Sequence, residues 1–328
     1  MESSATNDKA TPSLPPLVFA HASVLSVGGV SLFDSTEHIN FFTVQNYYSE
    51  DYMVQKAVYM LRAYGFFIMA VNGITISISA AAAVYEKAFV TKLRAEELPV
   101  LKGKGEEDTA TFILPRDGNV PGTIDVRKTV FSSVLEGVSI NEPVYFMSNF
   151  IAPKKEYWHL SVPGDVSVAI NADKAHRIGI TARGVKAVMV DTGWYRHPYF
   201  ERRGYVANPV VLGPATNDPF NDTVGHGTGE SANLFAVAPD VNFTMVKMNF
   251  VDNAGAFNTA VNLKPHIISC SWGNNKPTGP LTGNDKVLSA AIANAVSLGI
   301  TVVFSAGNGH WGYPGQHPDV ISAGGVYI

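Results

Sequence analysis

The sequence predicts two units in chain order: a small α+β domain, then an α/β domain built on a doubly wound, mostly parallel sheet. Two patterns point there. In the second half VKAVMVD, VNFTMVKM, HIISCSWG and ITVVFSAGN are short apolar runs, each closed by a polar or glycine-rich turn, as strands buried on both faces read. In the first half a strand, a helix, a hairpin and a second helix follow one another.

Residues 1–16, MESSATNDKATPSLPP, are polar and proline-containing, which predicts a flexible tail. LVFAHASVL reads as a strand. From Asp51 to Gly65 the apolar residues Met53, Val54, Ala57, Val58, Leu61 and Tyr64 share one helix face, and Gly65 suits a C-terminal cap. FFIMAV then meets Asn72-Gly73 and the alternating ITISIS, a two-residue hairpin signal. A second helix is expected from about Ala81 to Leu93, which completes an α+β domain over 17–98. LPVLKGKGEEDTA mixes glycine with charge and has no period, so 99–155 reads as a linker and processing region. The α/β domain occupies 156–328, and within it DKVLSAAIANAVSLG carries Val287, Leu288, Ala291, Ile292, Ala295 and Val296 on a helix face that stops at Gly299.

Composition narrows the function classes. The 328 residues are 46% hydrophobic and 16% charged with a net charge of −4, which argues against a nucleic-acid partner. The start lacks the basic and apolar regions of a signal peptide, and no apolar run is long enough to span a bilayer. One cysteine, Cys270, allows no internal disulfide and is expected to pack inside the sheet. Cytoplasmic residence without a membrane partner is the resulting expectation.

Chemistry is expected at the carboxyl ends of the parallel strands. Asp191 directly follows VKAVMV, although an aspartate there is also common turn chemistry. His226 sits in GHGTG at a helix start, where the dipole disfavours its protonated form and predicts a neutral imidazole, yet a surface histidine in a glycine-rich loop reads the same way. Asn308 ends VVFSAGN and offers an amide donor. A metal reading would recruit Asp222, His197 or His310, but the spacing matches no recurring site, so neither a metal nor a cofactor is expected.

Taken together, VMVDTG, GHGTG, AVAPD, SWG, SAGN and YPGQHPDVISAGG resemble the subtilisin-like serine proteases in the family's own order, over residues 157–328. The resemblance implies that Asp191 orients the imidazole, that His226 is general base and then acid, and that Asn308 donates to the oxyanion. It also implies that Ser271, Trp272 and Gly273 with Ser305, Ala306 and Gly307 flank the substrate side chain. VYMLRAYGFFIMAVNGITISISAAAAVYEKAF resembles a protease propeptide, which implies a ferredoxin-like α+β pro-domain whose tail lies in the substrate cleft of a zymogen. An accessory domain without an inhibitory role is the alternative.

The family's nucleophile lies in a Gly-Thr-Ser-Met-Ala type motif, and neither it nor a G-x-S-x-G occurs among these residues. Ser269, Ser271 and Ser305 fall at substrate-wall positions and are not assigned that role. The resemblance therefore implies a serine endopeptidase of which this chain supplies Asp and His, acting on a peptide or protein substrate, with a complementary polypeptide carrying the serine. A catalytically inactive relative that binds a peptide or partner is the alternative. Two departures sit beside His226: Glu230 replaces an apolar helix residue, and the run to Pro239 is too short for the calcium-holding loop of secreted members, so no calcium is expected there.

Overall fold

The computed structural model describes residues 12–34, 39–103, 106–116, 120–146, 160–276, 278–308 and 311–325. Most of the expected tail, parts of the 99–155 region including 147–155, and His310 lie outside the described residues.

In the first unit, β1 (Val18–Val24) leads to α1 (Asp51–Ala63), β2 (Phe67–Val71), β3 (Thr75–Ala80) and α2 (Ala82–Phe89). Helix α1 buries Val54, Ala57 and Leu61, the row expected from its spacing. It stops because Gly65 takes φ 96, with the Phe66 N–H donating to the Leu61 carbonyl at 3.1 Å. The hairpin turns one residue later than expected, since the Asn72 N–H bonds the Thr75 carbonyl at 3.0 Å and brackets Gly73-Ile74. Helix α2 is shorter than expected and ends at Val90, in the left-handed region at φ 52.

Within the segment expected as a linker, many of the described residues form paired strands. β4 (Leu93–Gly103) and β5 (Glu106–Pro115) pair as an antiparallel hairpin, and β6 (Thr123–Ile124) and β7 (Leu135–Ile140) join the first sheet. That sheet has the order β2-β3-β1-β7-β6, with β1 antiparallel to both β3 and β7. This is the ferredoxin-like arrangement with β7 as its last strand, so the expected boundary at 98 falls too early. The charges of KGKGEED read as a linker, but a two-stranded arm needs no buried face along its whole length, and alternation is then not demanded.

The second unit begins with α3 (Gly164–Ala169) and α4 (Ala172–Arg177), after β8 (Tyr145–Phe146). It continues with β9 (Lys186–Asp191), α5 (Pro198–Arg203), β10 (Val211–Leu212), α6 (His226–Val237), β11 (Asn242–Lys247), α7 (Asn253–Asn262), β12 (Ile267–Cys270) and β13 (Trp272–Asn275). Then come α8 (Gly283–Ser297), β14 (Thr301–Ser305), β15 (Gly312–Tyr313) and β16 (Ile321–Ala323). The six-stranded sheet β10-β11-β9-β12-β14-β16 is parallel throughout, as the apolar runs predict. The chain leaves β9 toward β11 and returns on the other side to β12, so the order reverses at β9 and opens a crevice at its carboxyl end.

Helices α7 and α8 lie between the two sheets. Both are buried nearly all round, from Asn253 to Val261 and from Gly283 to Ala295, because α8 also packs on β7 and α7 also packs on β2. This explains the first unit's alternating strand: Ile76, Ile78 and Ala80 of β3 enter its own core, while Thr75, Ser77 and Ser79 are buried on the opposite face. Among the described residues no helix is long and apolar enough to cross a membrane.

Candidate active site

Asp191 is the last residue of β9 and is fully buried. Its Oδ1 accepts from the Thr192 N–H at 2.7 Å and the Thr192 hydroxyl at 3.2 Å, which fixes the carboxylate at the strand end. His226 opens α6, whose Gly225 cap takes φ 82. The two meet directly, with His226 Nδ1 2.8 Å from Asp191 Oδ1. Gly227 allows the approach: a Cβ there would stand 2.5 Å from the Gly193 carbonyl oxygen and 3.1 Å from Asp191 Cβ. The Gly227 N–H also donates to the Thr192 hydroxyl at 2.9 Å, tying helix to strand end.

Asp222 holds the helix start. Its carboxylate accepts from the Gly225 N–H at 3.0 Å and from the Thr228 N–H at 2.9 Å and hydroxyl at 2.6 Å, satisfying free first-turn donors. Sequence reasoning does not single out Thr192 and Asp222 as parts of this site. The signals are present, since a threonine follows the strand-end aspartate and a carboxylate precedes the helix by four residues.

The basicity of His226 departs from expectation. Burial opposes its protonation, but the hydrogen bond and charge of Asp191, with Glu230 and Asp222 adding, outweigh burial and hold its pKa above the ordinary value. The helix dipole alone predicts a less basic ring, and three carboxylates around one helix start reverse that sign. Glu230 lies one turn along, its Oε1 4.0 Å from His226 Nε2. Burial, followed by the opposing pull of His226 and the push of Asp191, leaves its carboxyl raised.

The remaining residues lie along the neighbouring strand ends. Ser271 and Gly273 flank Trp272 after β12, and Ser305, Ala306, Gly307 and Asn308 close β14, with Asn308 exposed. The Trp272 indole turns into the core: it is fully buried, its Nε1–H donates to the Val190 carbonyl at 2.8 Å, and it meets Phe304 edge-on at 5.0 Å. Only its backbone is left to line a cleft, and that backbone pairs antiparallel with β8, Trp272 opposite Phe146 and Gly273 opposite Tyr145. The Ala306 N–H donates to Ala323 at 2.8 Å and its carbonyl accepts from Gly312 at 3.1 Å. Cys270 is buried, as expected, and burial pushes its thiol far up, away from nucleophile chemistry. Among the described residues no group of three or more His, Cys, Asp or Glu is gathered to hold a metal.

The sequence profile of the subtilase family matches residues 182–327. Subtilisin BL of Lederbergia lenta is 30% identical over 183 residues, covering 50% of this chain and 63% of that protein. The major intracellular serine protease of Bacillus subtilis (strain 168) is 28% identical over 192 residues, covering 48% of this chain and 56% of its own. The chain thus spans less than two thirds of the length of these curated relatives. Among solved structures, the epidermin leader peptide processing serine protease of Staphylococcus aureus superposes with a TM-score of 0.52 at 12% identity, over 94% of this chain and 69% of that one. That likeness is one of fold, and it takes in the first unit as well as the parallel sheet.

Proposed function

Residues 182–327 match the subtilase family, and from that likeness we propose that the chain supplies the base half of a serine endopeptidase zymogen. The observation that carries this reading is the 2.8 Å contact of His226 Nδ1 with the buried Asp191, at the sheet's order reversal. Asp191 holds the proton of the neutral imidazole on Nδ1, which leaves the Nε2 lone pair to take the proton of a serine hydroxyl. The serine oxygen attacks the peptide carbonyl, and the Asn308 amide donates to the oxyanion. The imidazolium then returns its proton to the leaving amine, and water hydrolyses the acyl-enzyme by the same relay. The serine is supplied by a complementary polypeptide.

The substrate is a peptide or protein segment laid as an antiparallel strand on β13, whose backbone gives affinity without demanding a particular sequence. Strand β8 already lies along that edge, which supports reading the first unit as a propeptide with its tail in the substrate position. One second reading is a peptide-binding module that does not cut, which the strand pairing of β8 on β13 equally suits.

The test supplies a subtilase segment carrying the serine motif and measures cleavage of an unfolded protein. Proteolysis should appear and should fall at least a thousandfold on His226→Ala. Full activity in that variant would sink the assignment, and no proteolysis with intact His226 would favour the binding module. The isolated chain should not take up a serine-directed fluorophosphonate, and stoichiometric labelling would overturn the proposed division.

A further inference from the structure

The two ring nitrogens of His226 face different carboxylates. Asp191 of β9 holds Nδ1, and Glu230 of α6 stands 4.0 Å from Nε2. The four-residue spacing places His226 and Glu230 one above the other on one helix face. The burying row of α6 is the adjacent one, Gly227, Ser231 and Phe235, so Glu230 is not there to fill the core. A contact of 4.0 Å is too long for a hydrogen bond and short enough for charges to act.

We propose that Glu230 is a positioning residue of this site, whose carboxylate favours the protonated imidazole through Nε2 and so raises the pH at which His226 acts as a base. This rests on the reading of His226 as general base given above. Nε2 is the nitrogen that Asp191 leaves for the nucleophile, so a charge beside it acts on the proton that is transferred. Three carboxylates face the ring: Asp191 from β9, Asp222 from the loop ahead of α6, and Glu230 from α6 itself. Of these Glu230 is the one placed beside the Nε2 edge, and solvent reaches it, with 38% of its side chain exposed. Its effect is therefore moderate and sensitive to salt. When Nε2 loses its proton, the ring's lone pair faces the carboxylate and the favourable contact is lost. The base form is withheld until higher pH, while the imidazolium that must protonate the leaving amine is stabilised. The site is thereby biased toward alkaline operation.

The test reads His226 itself rather than proteolysis. The full 328-residue chain is treated with diethyl pyrocarbonate, which acylates neutral imidazole, across pH 5 to 9, and modification of each of its nine histidines is followed by peptide mass mapping. In Glu230→Gln the rate at His226 near pH 6 should rise about three- to tenfold with an unchanged alkaline plateau. Raising salt to about 1 M should shrink the difference. Glu230→Leu should reproduce the shift, since the charge and not the amide is at issue. Superimposable profiles, or a change in plateau alone, would overturn the proposal and leave Glu230 a packing residue. Asp191→Asn separates the two readings. A shift there without one in Glu230→Gln rejects Glu230 and keeps the Asp191–His226 pair, and the opposite result keeps Glu230 and rejects the pair.

Discussion

At the residue scale, the candidate site depends on one missing side chain as much as on the two present. Gly227 lies in helical backbone, so alanine would be the better residue there by propensity alone. Its environment reverses that preference, because a methyl group would press on the Gly193 carbonyl and on Asp191. Gly227→Ala should therefore cost about 1–3 kcal/mol in chemical denaturation instead of adding stability. The same displacement lengthens the 2.8 Å contact, so the pH dependence of His226 modification should move toward that of Asp191→Asn. A variant at least as stable as the parent, with an unchanged profile, would show that α6 does not need this approach. Asp191 and His226 are legible in the sequence only together, since an apolar strand before one and a glycine-flanked helix start at the other each also suit an ordinary turn or loop. The direction in which its surroundings move the His226 pKa is not, since Asp222 and Glu230 act through space and no local rule weighs three carboxylates against a dipole.

At the element scale, α7 carries the join between the units. Asp252 caps it, accepting from the Gly255 N–H at 2.9 Å. The same carboxylate reaches across to the first sheet, where His21 Nε2 of β1 lies 2.8 Å away and the Ser77 hydroxyl of β3 donates to it. All three side chains are buried. Burial works to raise the Asp252 pKa, but the charge and hydrogen bond of His21, with Ser77 and Gly255, outweigh it and hold the carboxyl below its ordinary value. A lowered carboxylate contributes stability that is fully present above its unfolded value near 3.8 and is lost as pH falls through the folded value. Asp252→Ala should thus cost about 3–5 kcal/mol at neutral pH, because it removes a cap and leaves His21 buried alone. The gap between the variant and the parent should narrow as pH falls below about 4, in denaturant titrations at fixed temperature. A pH-independent gap would mean that folding leaves the Asp252 pKa unchanged, so that His21 and Ser77 do not favour its carboxylate. None of this is readable from ITISIS, whose polar alternates suggest a solvated face.

At the scale of the whole molecule, α8 explains why the first unit runs past the boundary expected at 98. The sequence presents one apolar row on this helix, Val287, Leu288, Ala291, Ile292, Ala295 and Val296, and the second face reads only as small residues. In the structure that second face is the floor of the first unit. A Cβ on Gly283 would run into Thr123 and Ser139, Lys286 Nζ donates to the Phe33 carbonyl at 2.8 Å, and the Tyr48 hydroxyl bonds Asn294. Small residues let a helix sit between two sheets, and a periodicity argument made for one partner misses the other. The last strand of the first sheet, β7, escapes for a related reason: it comes after the β4–β5 arm, so the ferredoxin-like order closes only at Ile140. A chain reduced to residues 160–328 would expose the first-unit faces of α7 and α8 to water, including the buried Asp252. It should lack a cooperative thermal transition and should be cut by a dilute protease far faster than the parent. Adding residues 12–146 as a separate polypeptide should restore protection, and should do so less well when it carries His21→Ala, because that change removes the partner of Asp252. A fragment 160–328 that folds cooperatively alone would mean that α7 and α8 need only one sheet, and the first unit would then be an attachment instead of part of the fold.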